Sequence, residues 1–268
     1  MRPGDRCARL LGDVRRARPL VHHITNWVVT NVTANITLAV GASPVMAHAI
    51  EEVADMVGCA DALVLNTGTL TLETVDAMIV AGRQANALGI PVILDPVGVG
   101  ATPLRTSSVE RILDEVRIAI VKGNPAEIGI LGGAGGRIRG VDARSGADDP
   151  PGLARNVARM FGCISAITGK TDYVSDGHTT LKVDNGHEML ARVTGTGCMA
   201  ASMIGAFAAV TKDRLWAAAG ALACYGIAAE IAAGISSGPG TFQAALLDAV
   251  YNLTSETISE KTCIAEAR

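Results

Sequence analysis

The chain has 268 residues, 49% hydrophobic and 18% charged, with a formal net charge of −3 at pH 7. This composition argues against a disordered chain and suffices for one α/β domain with a well-filled core over residues 1–268. The mild acidity gives no electrostatic case for binding nucleic acid or an anionic membrane, which leaves small uncharged or phosphorylated metabolites as ligands.

The leading segment carries Arg2, Arg6, Arg9, Arg15, Arg16 and Arg18, interrupted by Asp5 and Asp13, and no apolar stretch follows it. It reads as a solvated helix rather than a transit peptide. Short β-rich runs then alternate with helical spacing of apolar residues. Strands are expected at residues 19–24, 62–65, 91–94, 118–121 and 163–167, and helices at 30–40, 72–88, 107–116 and 153–161. That order predicts a mostly parallel central sheet flanked by helices on both faces.

Residues 131–149 hold Gly132, Gly133, Gly135 and Gly136 and read as a surface excursion, either a plain loop or a lid. Residues 172–183 predict a β-hairpin turning at Asp176-Gly177, which adds an antiparallel edge to the sheet. Beyond Gly195 come two Ala/Gly/Met-rich helices, at 198–210 and 215–233, expected to lie inside the fold. The apolar run 215–229 is stopped by Glu230 and reads as a buried helix, not a membrane span. The cysteines Cys7, Cys59, Cys163, Cys198, Cys224 and Cys263 form no C-x-x-C pair, so they are read as reduced thiols of a cytoplasmic protein, mostly in the core.

Ligands of open α/β sheets bind outside the carboxyl ends of the strands, so the residues there are the first candidates for chemistry. Asp95 opens Asp95-Pro96-Val97-Gly98-Val99-Gly100, where its carboxylate either holds Mg²⁺, directly or through water, or caps the loop. In Lys122-Gly123-Asn124-Pro125-Ala126-Glu127, Lys122 offers charge to a phosphate, and Glu127 either faces a metal or closes a capping box with Asn124. Gly195-Thr196-Gly197-Cys198 starts a helix, so its backbone N–H groups would form an anion hole. Cys198 is either an inert core thiol or, with its pKa lowered by the helix terminus, the group that accepts or orients the substrate proton.

Other motifs fall away. Thr168-Gly169-Lys170-Thr171 ends like a phosphate-binding P-loop, but that motif needs glycine where Ile164 stands and a helix where the hairpin follows. Thr168 still offers a hydroxyl at a strand end. No G-x-G-x-x-G follows the first strand, which leaves a nicotinamide dehydrogenase with little support. His22, His23, His48, His178 and His187 lack metal-site spacing and read as surface or satisfied side chains.

A set of motifs remains, in chain order: His22-His23-Ile24-Thr25-Asn26 with Asn31 and Asn35, Gly41-Ala42-Ser43-Pro44-Val45-Met46, Asn66-Thr67-Gly68-Thr69, and the Asp95, Lys122, Thr168 and Gly195 segments. Together they resemble the hydroxyethylthiazole kinase family of the ribokinase-like group. The resemblance implies ATP-dependent phosphorylation of the alcohol of 4-methyl-5-(2-hydroxyethyl)thiazole in thiamine salvage. It implies that Asn26, Met46 and Gly195 contact the thiazole, that Lys122 and Thr168 contact ATP, and that Asp95 and Glu127 serve Mg²⁺. Cys198 would be catalytic, at a position where most ribokinase-like enzymes carry aspartate and the thiazole kinases carry cysteine. Pro125 departs mildly from the usual alanine and is tolerated early in a helix. The resemblance further implies a homotrimer with active sites at subunit interfaces. Two other readings stay open: another ribokinase-like small-molecule kinase, and a nucleotide-binding sensor without turnover.

Overall fold

Side-chain alternation along the central strands decides the layers. In the strand Ala62–Asn66, Ala62 and Val64 enter one core while Leu63 and Leu65 enter the other. The next two strands split the same way, Ile93 and Ile120 to the first core, Val92, Leu94 and Val121 to the second. A sheet buried on both faces must be covered on both, and its central strands therefore read as continuous apolar runs.

The computed structural model describes residues 1–134 and 149–267. In chain order they form α1 (Pro3–Ala17), β1 (Leu20–Ile24), α2 (Thr30–Val40), β2 (Ser43–Val45), α3 (Val53–Gly58), β3 (Ala62–Asn66), α4 (Leu72–Leu88), β4 (Val92–Asp95), α5 (Pro103–Glu115), β5 (Ile120–Gly123) and α6 (Pro125–Gly129). There follow α7 (Pro150–Phe161), β6 (Ile164–Ile167), β7 (Asp172–Ser175), β8 (Thr180–Val183), α8 (Thr196–Val210), α9 (Arg214–Ile235), α10 (Pro239–Asn252), α11 (Ser255–Lys261) and β9 (Ile264–Glu266). The sheet order is β2-β1-β3-β4-β5-β6-β7-β8-β9. Pairing is parallel from β2 to β6 and antiparallel from β6 to β9.

The expected hairpin is present: Ser175 pairs with Thr180, and Asp176 Oδ1 accepts from the N–H groups of His178 and Thr179 around Gly177 at φ 91°. It is not the last strand pair, because β9 returns from the C-terminal helices and forms the edge. Helix boundaries follow local chemistry. Thr71 caps α4 through Thr74 N, Thr102 caps α5 ahead of Pro103, and Asp149 caps α7 ahead of Pro150.

Several expectations shift. The fourth predicted helix starts at Pro103, and β5 runs two residues further than expected, so Lys122 lies within the strand rather than beyond it. The leading helix is not simply solvated: α1 buries Cys7, Leu10, Leu11 and Val14 against the Ala-rich layer, leaving only its arginine face in water. The glycine-rich excursion begins in a short helical turn with Leu131 buried, and its residues 135–148 lie outside the described residues. Cys59 and Cys263 are exposed, while Cys7, Cys163 and Cys224 are core residues. Among the described residues, α9 is long and apolar enough to cross a membrane, but 72% of its most apolar window is buried inside the fold. It is a core helix, as its sequence suggested.

Candidate active site

The parallel strands all end on one side of the molecule, and there the apolar runs give way to buried polar side chains. Asn66 and Asp95 are the last residues of β3 and β4 and are paired in register. Lys122 is next to last in β5. All three are at most 4% exposed. Asp95 Oδ1 accepts from Lys122 Nζ at 3.1 Å, and Asp95 Oδ2 accepts from Asn66 Nδ2 at 2.7 Å. Burial works against the Lys122 ammonium, but Asp95, Cys198 and Glu127 outweigh it and hold its pKa above the usual lysine value. Burial likewise raises the pKa of Asp95, Lys122 opposes the rise and Glu127 adds to it.

The start of α8 meets this pair. Gly195 is its N-cap at φ 86°, a left-handed conformation, and it supplies no side-chain cap. The Thr196 hydroxyl turns backwards and donates to the carbonyls of Leu190 and Val193. Among the described residues no acceptor takes the N–H groups of Thr196, Gly197 and Cys198. Lys122 Nζ donates to Gly197 O at 3.0 Å, so one ammonium touches both the β4 tip and the helix start. A Cβ at residue 197 would lie 3.3 Å from that nitrogen, so glycine there lets the lysine come close.

Cys198 Sγ accepts from Asn66 Nδ2 at 3.2 Å and from Asn26 Nδ2 at 3.7 Å. The expectation of a lowered thiol pKa is overturned. Burial pushes the thiol up to about 11, Asp95 adds to the rise, and Lys122 and the two amides only partly oppose it. The sulfur lies in a desolvated site beside a carboxylate, and both disfavour the thiolate.

The remaining candidates distribute around this cluster. Asn26 is buried just past β1, its amide donating to Asn66 Oδ1 at 2.7 Å. Met46 follows β2, the strand beside β1, and is half-buried. Thr168 follows β6 and donates from both its N–H (2.9 Å) and its hydroxyl (3.3 Å) to Gly123 O. Glu127 closes a full capping box on α6: Oε2 accepts from Asn124 N at 2.9 Å, while its own N–H donates to Asn124 Oδ1 at 2.9 Å. Its Oε1 accepts from Gly98 N at 3.1 Å, which ties the β5 turn to the β4 turn.

Three residues near the site received no role in the sequence reading. Asn66 opens the Asn66-Thr67-Gly68-Thr69 motif, but neither its residues nor the resemblance gave it a function of its own. Arg105 reaches from α5 to the carbonyls of Thr67, Val97 and Gly68 at 2.8–3.0 Å and so clamps the turns after β3 and β4; nothing local in the sequence signals it. Asp172 accepts from Gly169 N at 2.8 Å, and burial pushes it up to about 7 against that bond and the charge of Lys122. His22 and His23 take the buried alternative of that reading, His23 with both ring nitrogens satisfied and His22 with one. His23 is bonded to Val21 O and Ser202, and burial lowers it to about 4. His22 bonds Ala47 O through Nε2 while its Nδ1 has no partner. A depression of about 620 Å³ sits at the opposite pole, around the amino ends of β4, β5 and β6, and includes none of the candidate residues.

Comparison with known proteins gives the family and the fold. A sequence model described as the hydroxyethylthiazole kinase family matches residues 11–256. The chain is 54% identical over 254 residues to a hydroxyethylthiazole kinase of Chloroflexus aggregans, covering 95% of this chain and 91% of that one. It is 54% identical over 263 residues to that of Desulforudis audaxviator, covering 98% and 96%. The solved structure of the Pyrococcus horikoshii hydroxyethylthiazole kinase superposes with a TM-score of 0.91 at 46% identity over 98% of this chain and 99% of that one. A pyridoxal kinase from Staphylococcus aureus in complex with AMP-PCP superposes with a TM-score of 0.57 at 16% identity over 79% and 87%, a likeness of fold alone, and the fold is ribokinase-like.

Proposed function

The chain belongs to the hydroxyethylthiazole kinase family, and on that premise we propose that it transfers the γ-phosphoryl group of ATP to the alcohol of 4-methyl-5-(2-hydroxyethyl)thiazole, a step of thiamine salvage in the cytoplasm. The observation that carries the reading is the bridging ammonium: Lys122 Nζ lies within 3.1 Å of Asp95 Oδ1 and 3.0 Å of Gly197 O, so the acidic tip of β4 and the open helix start share one end of the sheet.

In this reading the alcohol oxygen bonds to the γ-phosphorus as the bond to the departing ADP oxygen breaks, and the alcohol's proton passes to an oxygen of the transferred phosphoryl group. Phosphoryl transfer of this kind depends chiefly on positioning and on neutralising charge. The free N–H groups of Thr196, Gly197 and Cys198, an anion hole beginning at Gly195, face the moving phosphoryl group. Lys122 adds charge, and Thr168 contacts the nucleotide from the β6 tip. Asn26, Met46 and Gly195 border the thiazole. Cys198, as a neutral thiol, is the catalytic residue that orients the alcohol.

Mg²⁺ fits the donor set in a restricted way. Both oxygens of Asp95 and of Glu127 already accept hydrogen bonds, and among the described residues no three His, Cys, Asp or Glu side chains group as a metal cage. Such a set suits an ion carried by phosphate and water, with Asp95 and Glu127 facing its water shell. When bound, the ion neutralises phosphate charge. The exposed apolar side chains Trp27 and Val28, just before α2, and Leu38, in its last turn, support an interface along that helix, and a homotrimer with interfacial sites is proposed on that ground.

The test is incubation with Mg-ATP and the thiazole alcohol, read by mass spectrometry. The thiazole phosphate ester is expected, and its absence alongside nucleotide binding would favour a silent sensor. Cys198→Ala should depress turnover, whereas Cys198→Asp should preserve or raise it, because a carboxylate accepts a hydrogen bond from the alcohol more strongly than a neutral thiol does. An alanine variant with parental turnover would remove Cys198 from the mechanism. Light scattering of the eluted protein checks the trimer.

A further inference from the structure

We propose that Asn66 is a positioning residue that fixes the direction of the Cys198 sulfur, and with it the alcohol, relative to the Asp95–Lys122 pair. The proposal rests on the kinase reading and deepens it, since it names the group that sets the catalytic thiol in place.

The argument begins with the orientation of one carboxamide. Asn66 Oδ1 accepts from the backbone N–H of Gly68 at 3.0 Å. A backbone N–H can only donate, so this contact fixes which end of the amide is oxygen. The oxygen also accepts from Asn26 Nδ2 at 2.7 Å, which occupies its second lone pair. The nitrogen must then face the other way, and there it meets two acceptors, Asp95 Oδ2 at 2.7 Å and Cys198 Sγ at 3.2 Å. Every hydrogen-bonding position of Asn66 is filled, and the side chain is 2% exposed. Its main chain is held equally well, because Asn66 ends β3 in register with Asp95 of β4.

A carboxamide so constrained has one N–H left for the sulfur, in a direction set by the other three bonds. Cys198 has no comparable anchor of its own. It lies in the first turn of α8, and its other side-chain partner is the longer contact from Asn26 at 3.7 Å. Asn26 is in turn held by Asn66. Removal of Asn66 therefore releases the sulfur from both sides, while the start of α8 and the ion pair of Asp95 with Lys122 stay tied by their own bonds. A reacting group misplaced by about 1 Å can cost on the order of 100-fold in rate.

The test is a double-mutant cycle with Asn66→Ala and Cys198→Ala, kcat and KM being measured with Mg-ATP and the thiazole alcohol. Asn66→Ala is expected to lower kcat about 10- to 100-fold while changing KM for the alcohol less than about threefold. In the Cys198→Ala background the same change should lower kcat less than about threefold, because there is no sulfur left to orient. Equal losses in both backgrounds would overturn the proposal, since Asn66 would then act through the fold or through Asp95. If Asn66→Ala does not fold, Asn66→Ser replaces it, with the same cycle and the same criteria. An independent readout needs no substrate: a crystal structure of the Asn66 variant should show the Cys198 sulfur spread over more than one rotamer. A single unchanged rotamer refutes the positioning role even if the parent proves inactive on the thiazole alcohol, an outcome that by itself sinks only the kinase reading.

Discussion

Two helices begin beside the same strand tips, and they treat their first turns in opposite ways. α6 is closed by its own side chains: Asn124 caps Glu127 N, Glu127 caps Asn124 N, and Pro125 at the first helical position lacks an N–H altogether. α8 starts at a glycine, carries no side-chain cap, and turns the Thr196 hydroxyl away from its own N–H groups. A helix terminus left open near a cluster of charge costs stability unless something else meets those donors. The closed terminus thus belongs to the scaffold, and the open one is where the proposed reading places the incoming anion. The capping box also changes how Glu127 is understood, since its carboxylate braces two turns before it can face anything else.

The largest effect is expected from Lys122→Met, which removes the ammonium shared by the open terminus and Asp95. An unpaired buried carboxylate costs about 3–5 kcal/mol, to be read from urea unfolding, and phosphoryl transfer should vanish with it. The sign with pH follows from burial, which raises Asp95 while Lys122 is the main opposing influence. Without the lysine the folded-state pKa rises further above the unfolded value, so protons bind the folded state preferentially. The deficit of the variant should then shrink as pH falls from about 8 to about 5. A deficit that grows on acidification would mean that the pair is not what holds the lysine in place.

Gly195→Ala comes next. It forces a side chain into a left-handed backbone, with a Cβ only 2.9 Å from Val29 Cγ1. The expected loss is about 2 kcal/mol, with turnover falling further than stability alone explains. Asn124→Ala should cost about 1 kcal/mol in thermal unfolding while leaving KM for ATP within about twofold. If the α6 variant lost turnover and the α8 variant kept it, the contrast between the two helix starts would be reversed.

The same contrast explains how much was legible beforehand. The strand bodies follow from apolar runs, and α6 follows from Asn-Pro-x-Glu, because capping is local chemistry. Asp95 and Lys122 stood out since a charge ending an apolar run has few structural uses. β2 and β9 were missed because three residues carry too little periodicity, and their pairing is decided by neighbours distant in the chain. The thiol of Cys198 was misjudged for a related reason. Its helix position is local, whereas its burial and the carboxylate beside it come from β4. Asn66 was noticed within a motif but given no role, because an uncharged amide shows its importance only when all its partners are in view.

Gly197→Ala is the mildest test of the open terminus. Residue 197 is exposed, its backbone is not left-handed, and the added methyl would meet only Lys122 Nζ, at 3.3 Å. That nitrogen ends a flexible side chain and can withdraw by a few tenths of an ångström. Alanine also suits a helix better than glycine, so unfolding free energy should change by no more than about 0.5 kcal/mol. The bond from Lys122 to Gly197 O nevertheless has to lengthen or tilt, which moves the charge away from where a phosphate would sit. KM for ATP should therefore rise about threefold with the melting temperature unchanged. A variant with parental KM would show that the short approach of the lysine to α8 is a packing detail, and that the open helix start alone makes the anion site.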